Sequence, residues 1–587
     1  MKIKSTLAFV CLLSFAVSTF SLTPEISGNA EPKAIRTTPP APKFSDAERQ
    51  AELAKRRAKV FEAMKDKSVM ILFSTEPRIY TNDVDFLYRQ ENNLYYLTNL
   101  KQNNATLVLT KDGAKTQEFL FLPKRSPQAE TWMGKMYSRE DATRLSGVKT
   151  IVDTSELNDF IQAVKNKTTF AAKDNLVSNP LIAETVYLLM PKGARDNDGM
   201  REFRKEYEFA TSLSNYKVEN AQPIFAALRH IKSPMEQRLL QHAIDITTEA
   251  QMRAMATVKQ AKWEYETQAE IEYVFRKRNA DYWGYPSIIG CGPNATTLHY
   301  EESQGEVKNG DLLLMDVGAE YDHYTADVTR TFPVNGKFSK EQAEIYQIVY
   351  DAQEAAAKKI KPGASFQDAA RAADEIIKQG LTKLGLITAP NATYQIVFQG
   401  KPIEMPQYRL WYMHGWGHWL GMNVHDVGDY AKPLQAGMVT TNEPGIYVRE
   451  DALEYIPDTP ANKEFLTKIR PLFEKYKNIG VRIEDDMLVT PTGVEWMTKA
   501  LPRTIADVEA FMAKASKEVP NAGFEKHSNP STAFLENENL LFGNDFNWSL
   551  FDANQIVKGK TVRRGWVFDG KKMMVSGLSH VEHSHGE

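Results

Sequence analysis

The chain has 587 residues, which is too long for one ordinary hydrophobic core and predicts at least two domains. Hydrophobic residues make up 42% and charged residues 25%, with a formal net charge of -3. These values are ordinary for a soluble globular enzyme and give no electrostatic indication of nucleic-acid binding, which needs a clustered basic surface. We therefore expect no nucleic-acid partner.

The N-terminus has the pattern of an export signal. Lys2 and Lys4 form a short basic region, and an apolar run begins at Leu7. The run is too short for a comfortable transmembrane helix. We expect residues 1–22 to be a signal peptide and residues 23–44 to be a Pro-rich, extended linker. The protein is then predicted to be periplasmic or secreted, without a stable membrane anchor.

The next part of the chain, residues 45–220, predicts a smaller α/β domain. Apolar periodicity predicts a helix over residues 46–64. Runs rich in β-branched and aromatic residues, bounded by turn residues, predict strands. The predicted strands cover residues 69–74, 93–98, 106–110 and 118–122.

A second domain is predicted for residues 233–515. It opens with Ser233, Pro234 and Glu236, which fit the N-cap, N1 and N3 positions of a helix. Long helices then alternate with antiparallel-looking strands, an α+β pattern. A C-terminal extension, residues 516–587, has a different composition and a predicted hairpin at Asp569, and its role is unknown.

Two acidic residues occur in one strand-like stretch of the second domain, LLLMDVGAEYDHYTADVTRTFPVNGKF. Its two apolar arms predict a β-hairpin, with Asp316 and Asp327 on opposite arms. Antiparallel pairing can bring the two carboxylates onto one face, close enough to share a metal. Taken alone, the pair is also compatible with one turn-capping and one solvated aspartate.

Further acidic and imidazole groups follow within short glycine-punctuated motifs. The stretch MHGWGHWLGMNVHDVG contains His418 between two further histidines, and Glu443 and Glu484 occupy strand-like positions downstream. A glutamate in a Val/Ile-rich strand pattern is costly unless something pairs with it. With the two aspartates, these residues form a hard, oxygen-rich ligand set that suits Mn²⁺, Mg²⁺ or a pair of similar divalent ions.

These segments resemble those of the pita-bread metallopeptidases, and most closely aminopeptidase P, with prolidase a near relative. The resemblance implies a pita-bread catalytic domain preceded by the smaller α/β domain. It also implies two divalent metal ions, most often Mn²⁺. In the implied arrangement Asp316 binds one ion, His418 and Glu443 bind the other, and Asp327 and Glu484 bridge both ions around a shared water or hydroxide.

The resemblance also implies catalytic groups around the metals. His299, in LHYEES, matches a family histidine near the active site, while His414 and His425 match the two that flank the metal-binding histidine. Tyr447 and Arg482 match positions that support the ligands. Trp416, Gly417 and Asn442 differ from the residues that are commoner in relatives, which implies an altered pocket rather than a lost ligand.

The segment DFLYRQENNLYYLTNL, beginning at Asp85, resembles the family's N-terminal domain, which in relatives helps to build oligomers. The implied function is hydrolysis of the bond between an N-terminal residue and a following proline, in a homo-oligomer such as a dimer or tetramer. Two alternatives stay open. One is a dipeptidase of the prolidase type, and the other is a non-catalytic binding protein on the same fold.

Overall fold

The structure, a computed structural model, describes residues 33–174, 177–179, 183–191 and 202–519, together with four short strands between residues 556 and 575. The predicted signal peptide lies outside the described residues. The last part of the predicted linker is described and carries no helix or strand. Thr38 in this segment is buried, and its backbone N–H donates to Glu249 Oε2 at 2.7 Å, so the segment contacts the second domain.

The N-terminal part combines a mixed sheet with surrounding helices. Its helices are Asp46–Ala63, Asn92–Thr98, Pro127–Met133, Arg139–Ser146, Leu157–Asn166, Arg204–Thr211 and Gln222–His230. Its strands are β1 (Ser68–Phe73), β2 (Ile79–Thr81), β3 (Val84–Asp85), β4 (Thr106–Asp112), β5 (Lys115–Leu122), β6 (Ile151–Asp153), β7 (Phe170–Ala171), β8 (Ser178–Asn179), β9 (Thr185–Leu188) and β10 (Lys217–Asn220). Six of them form one sheet in the order β10-β9-β1-β4-β5-β6. The α/β prediction for this part is confirmed.

One strand predicted there is wrong. Residues 93–98 belong to the helix Asn92–Thr98, whose first turn is capped by the Glu91 side chain accepting from the Leu94 N–H at 2.7 Å. Every residue of this helix is buried. A helix buried on all sides has no amphipathic period, and its Tyr and Thr residues carry strand propensity, so the local sequence pattern favoured the wrong structure.

The second part has the predicted α+β architecture. Its helices are Pro234–Thr257, Glu264–Lys277, Lys340–Ala357, Phe366–Leu384, Pro460–Tyr476 and Ile505–Ala515. Its strands are β11 (Tyr282–Trp283), β12 (Ile288–Cys291), β13 (Leu312–Val317), β14 (Ala319–Tyr321), β15 (Tyr324–Thr325), β16 (Val328–Pro333), β17 (Thr393–Phe398), β18 (Lys401–Pro406), β19 (Val439–Asn442), β20 (Gly445–Val448), β21 (Ile479–Arg482), β22 (Asp485–Thr490) and β23 (Gly493–Trp496). They pair into small antiparallel sheets, β12-β13-β16, β11-β14-β15, β19-β22-β23, β20-β21 and β17-β18.

The predicted helix start at Ser233 is confirmed in detail. The Ser233 hydroxyl accepts from the Glu236 N–H, and the Glu236 carboxylate accepts from the Ser233 N–H at 2.9 Å, with Pro234 in the first turn. This capping box satisfies two amide donors that the helix leaves unpaired. One hydrophobic core then joins the two domains, because Leu94 and Tyr95 belong to the same cluster as Leu239.

The C-terminal unit, Asn521–Glu587, is described by itself and only in its strands. These are β24 (Ile556–Val557), β25 (Lys560–Arg563), β26 (Trp566–Asp569) and β27 (Lys572–Val575), paired in chain order. β26 and β27 are antiparallel with Asp569 opposite Lys572, which confirms the predicted hairpin. Elsewhere, no helix among the described residues is long and apolar enough to cross a membrane.

Candidate metal centre

The hairpin that carries the two aspartates forms as predicted, with one addition. β13 and β16 pair antiparallel and place Asp316 opposite Thr329, while Asp327 precedes β16. The additional feature is a second, smaller hairpin, β14-β15, between the arms. Tyr285 joins the carboxylates, since its hydroxyl lies 2.6 Å from Asp316 Oδ1 and 2.6 Å from Asp327 Oδ1.

His418 and Glu443 approach Asp327 from a different sheet. Trp419 bridges to Thr440 of β19, which fixes the backbone beside His418, and Glu443 follows the end of β19 directly. His418 Nε2 lies 3.2 Å from Asp327 Oδ2 and 3.3 Å from Glu443 Oε1. The ring is oriented by its other nitrogen, which lies 3.1 Å from the Trp419 carbonyl oxygen. An imidazole fixed at one nitrogen presents the other to a ligand.

Glu484 completes the cluster at the junction of β21 and β22. Its carboxylate accepts from the Thr329 hydroxyl at 2.7 Å, and its carbonyl accepts from buried Arg330 at 2.7 Å. One possible ligand atom from each of Asp327, His418 and Glu484 lies within 4.8 Å of the other two. Glu443 adjoins this group through His418, and Asp316 adjoins it through the Tyr285 hydroxyl that it shares with Asp327. All five sequence-predicted metal ligands thus lie in one cluster, although they come from widely separated segments.

The pKa shifts within the cluster indicate that it lacks positive charge. Burial and the neighbouring carboxylates raise the pKa of Glu443 to about 7 and that of Glu484 well above its ordinary value. Burial opposes the charge on His418, but Asp327 and Glu443 outweigh it and raise its pKa to about 9. Like charges this close cannot all ionise in a buried site. A divalent cation would supply the missing positive charge, so the donor set fits one.

A chain of polar contacts connects Asp316 to His414. Arg482 forms an ion pair with Asp316 and donates to the Tyr447 hydroxyl at 2.8 Å. That hydroxyl lies 2.8 Å from His414 Nε2. Burial and the positive charge of Arg482 lower the pKa of His414 to about 3, so the ring is neutral at physiological pH and its Nε2 accepts a hydrogen bond from the Tyr447 hydroxyl. These contacts connect His414, a predicted catalytic histidine, to Asp316, a predicted metal ligand.

The other two histidines predicted from the sequence, His425 and His299, are both exposed. The His425 ring is 4.3 Å from the His418 ring, measured between centroids, in an edge-to-face arrangement. Partial burial and the nearby His418 and His299 lower the pKa of His425 to about 4. His299 lies on an exposed turn. Neither ring is needed to close the ligand cluster, and both are available to a bound molecule.

The sequence did not predict the roles of three residues of the site. Tyr285 sits in the stretch WGYPS, which has no charge or periodicity to mark it, yet it bridges two predicted ligands. Thr329 was likewise unmarked, although its hydroxyl contacts Glu484. Asn442, one of the departures from the family pattern, is fully buried and donates to the Gln353 carbonyl at 2.9 Å. This residue therefore supports the backbone before Glu443 and does not face the pocket.

Comparison with known proteins gives consistent results. Residues 238–491 match the profile of metallopeptidase family M24, and residues 53–171 match that of the aminopeptidase P N-terminal domain. The chain is 36% identical to a Xaa-Pro aminopeptidase of Haemophilus influenzae, over 78% of this chain and 97% of that protein. It is 32% identical to the Escherichia coli Xaa-Pro aminopeptidase, over 81% and 100% respectively.

Solved structures agree with the sequence comparison. The structure of E. coli aminopeptidase P with the inhibitor Pro-Leu superimposes with a TM-score of 0.65 at 30% identity, and covers 81% of this chain and 100% of that one. The match spans both the smaller N-terminal domain and the domain that carries the five converging side chains. The chain belongs to metallopeptidase family M24, with the pita-bread catalytic domain and N-terminal domain of aminopeptidase P.

Proposed function

We propose that this protein is a metal-dependent Xaa-Pro aminopeptidase, which removes the N-terminal residue from peptides with proline at the second position. The observation that carries the proposal is that four carboxylates and His418 lie together in one largely buried cluster. Relatives named Xaa-Pro aminopeptidase, aligned over nearly their whole length, support the reaction type. Peptides with proline at the second position are accordingly its substrates.

The five converging side chains would hold two divalent ions. Asp316 would serve one ion, His418 and Glu443 the other, and Asp327 and Glu484 both. When bound, such ions polarise a carbonyl and lower the pKa of a water molecule, the chemistry that peptide-bond hydrolysis needs. Carboxylate and imidazole donors without thiolate suit Mn²⁺, which we propose as the physiological metal.

The chain's own groups would then handle binding and protons. Arg482 pairs with Asp316, and burial together with the charge of Arg482 keeps His414 neutral, so that His414 can accept or donate hydrogen bonds without adding charge near the metals. His299 and His425 lie beside the cluster, where an imidazole can stabilise an oxyanion or pass a proton to the leaving nitrogen. The proline nitrogen, like any amine leaving group, has to gain a proton as the bond breaks.

The apolar N-terminal run supports export, and we propose that the mature protein acts in the periplasm or outside the cell. We also propose a homo-oligomer, such as a dimer or tetramer. Several large apolar side chains of the N-terminal domain are solvent-exposed, among them Tyr80, Leu87 and Trp132, which is 83% exposed. Exposed apolar patches of this kind favour association.

A substrate panel tests the proposal. The purified, Mn²⁺-supplemented protein should cleave a tripeptide of the form X-Pro-Y and leave the matched X-Ala-Y peptide intact. Cleavage confined to the dipeptide X-Pro would instead identify a dipeptidase, an activity carried in the name of a rat relative that is 30% identical. No cleavage of any peptide by metal-loaded protein would favour a binding role on the same fold.

A further inference from the structure

A two-residue turn lies on the chain between the aspartates of the metal centre. β14 and β15 pair through Tyr321 and Tyr324, which leaves Asp322 and His323 as the whole turn. Both have positive φ, 53° and 68° respectively. A two-residue hairpin turn of this type requires positive φ at both positions and is normally built with asparagine and glycine. Here two residues with side chains hold the strained conformation, so the surroundings have to stabilise it.

The stabilising contacts come from the N-terminal domain. The His323 ring stacks on Tyr95 with 3.7 Å between centroids and 12° between planes, and its Nδ1 lies 3.3 Å from Asn92 Oδ1. The Asp322 carboxylate accepts from Arg49 at 2.8 Å and from the Tyr95 hydroxyl. His323 is only 2% exposed. Both residues of the turn are therefore fixed by side chains of another domain.

The turn is connected to Asp327 by a short and rigid path. The Thr325 N–H donates to the Gly421 carbonyl at 2.9 Å, and the Ala326 N–H donates to Ala319 at 3.0 Å. A Cβ on Gly318 would lie 1.8 Å from the Ala326 carbonyl oxygen. The backbone at Gly318 and the backbone at Ala326 are therefore too close for any side chain at position 318. A displacement of the turn has little room to be absorbed before Asp327.

The same segment of the N-terminal domain also reaches the loop that leads to His425. Asn92 Nδ2 donates to Asn423 Oδ1 at 3.0 Å, and Arg89 Nη2 donates to the Met422 carbonyl at 3.0 Å. Arg89 also pairs with Glu320 of β14 at 2.8 Å. Asn92 thus contacts both the β14-β15 turn and the loop after His418, from a helix that is buried throughout.

We propose that Asn92 and Tyr95 are positioning residues of the metal centre, which act through His323 to fix the segment that carries Asp327, between β15 and β16. The proposal rests on the metal ligands assigned under the proposed function. It makes the N-terminal domain part of the catalytic apparatus within a single chain. The simpler reading is a domain interface that contributes stability alone, and the two readings differ in what they predict for metal binding.

His323→Gly separates the two readings. Glycine adopts a φ of 68° without steric cost, so the turn itself should form readily, while the contacts to Tyr95 and Asn92 are lost. The matched control is Gln399→Gly, because Gln399 has a φ of 50° in the two-residue turn between β17 and β18, where its side chain is exposed. Asn92→Ala removes the hydrogen-bond partner of His323, together with the contact to Asn423, and changes no residue of the turn.

Each full-length variant is titrated with Co²⁺ and its visible absorption spectrum recorded, after circular dichroism and a thermal melt establish that it is folded. The proposal predicts that His323→Gly and Asn92→Ala each weaken Co²⁺ binding on the order of 10-fold, as loss of groups that orient ligands commonly does, and alter the absorption band. Gln399→Gly should leave both unchanged. With peptide substrate, kcat should fall while KM changes little.

A double-mutant cycle decides whether the two residues act together. If Asn92 acts through His323, the double variant should weaken Co²⁺ binding little more than either single variant. Folded single variants with the parent's Co²⁺ affinity and spectrum would overturn the proposal, and if His323→Gly does not fold, Asn92→Ala decides alone. Co²⁺ binding needs no peptidase activity, so a protein that binds Co²⁺ as predicted but cleaves no X-Pro peptide would refute only the proposed function.

Discussion

His418 Nε2 lies 3.2 Å from Asp327 Oδ2. This contact joins the loop before β19 to the β13-β16 hairpin, although the two residues are almost a hundred positions apart in the chain. In the absence of metal this contact is an ion pair between a protonated imidazole and a carboxylate. The same two atoms are the ones that a cation would separate and bind. The contact therefore predicts how metal binding depends on pH.

Metal binding should release protons at neutral pH. His418 has a pKa of about 9 and Glu443 a pKa of about 7 in the metal-free protein, so at pH 7 His418 holds a proton and Glu443 holds one part of the time. A metal ion has to displace these protons. Binding should therefore weaken as pH falls from about 9. Calorimetric titration with Mn²⁺ in buffers of different ionisation enthalpy should give release of at least one proton per chain, and a value of zero would contradict this.

His299→Ala and His425→Ala should impair turnover without removing metal. Both rings lie beside the cluster, and loss of a proton-transfer or oxyanion group typically lowers kcat on the order of 10²-fold. Metal analysis of the same preparations provides the internal control. A variant that loses metal in proportion to its activity would show that the missing histidine is itself a ligand.

Asp426→Asn should destabilise the whole catalytic domain. The Asp426 carboxylate lies 3.1 Å from Lys232 Nζ and is paired with Arg229, and all three side chains are buried. Removing one partner leaves buried charge uncompensated, which costs about 3–5 kcal/mol. Urea denaturation should show this loss in the free energy of unfolding, whereas Asp451→Asn, in a partly exposed pair with Arg449, should cost about 1 kcal/mol or less.

The Asp426 carboxylate also predicts how the free energy of unfolding depends on pH. Burial alone would raise the pKa of Asp426, but Arg229 and Lys232 outweigh it and lower the pKa below its ordinary value of 3.8. A carboxyl whose pKa is lower in the folded state stabilises the protein above the unfolded pKa. This contribution should be lost as the pH falls through the folded value, and the difference between Asp426→Asn and the parent should shrink in acid.

The sequence predicted the ligand cluster better than its surroundings. Asp316, Glu443 and Glu484 stand out because a carboxylate in an apolar strand pattern needs a partner. Tyr285 and Thr329 do not stand out, since neutral hydroxyls are common in loops and strands and their importance depends on tertiary contacts. The helix Asn92–Thr98 was mistaken for a strand because burial on all sides removes the helical period. Its contact with His323 could not be inferred from either segment alone.

Removal of the C-terminal extension should leave metal binding and activity intact if the contact between Glu518 and Ala34 is kept. The sequence placed the end of the catalytic domain near residue 515, but the Glu518 carboxylate accepts from the Ala34 N–H at 2.7 Å. A chain ending after Val519 keeps this contact and every proposed ligand. It should bind metal and cleave X-Pro peptides at close to the parent rate. A folded, metal-loaded truncated protein without activity would show that the C-terminal extension contributes to the active site.

The central claim is that two divalent ions, held by these five side chains, perform Xaa-Pro hydrolysis. Metal-free protein is titrated with Mn²⁺ while cleavage of an X-Pro-Y peptide is followed. Activity should be absent at the start and reach its maximum at about two equivalents per chain, since each ion needs its own ligands. Asp327→Asn and Glu484→Gln should stay inactive, and Glu495→Gln, a surface carboxylate of β23 paired with Lys499, should behave as the parent. Full activity without metal, or in Glu484→Gln, would contradict the account.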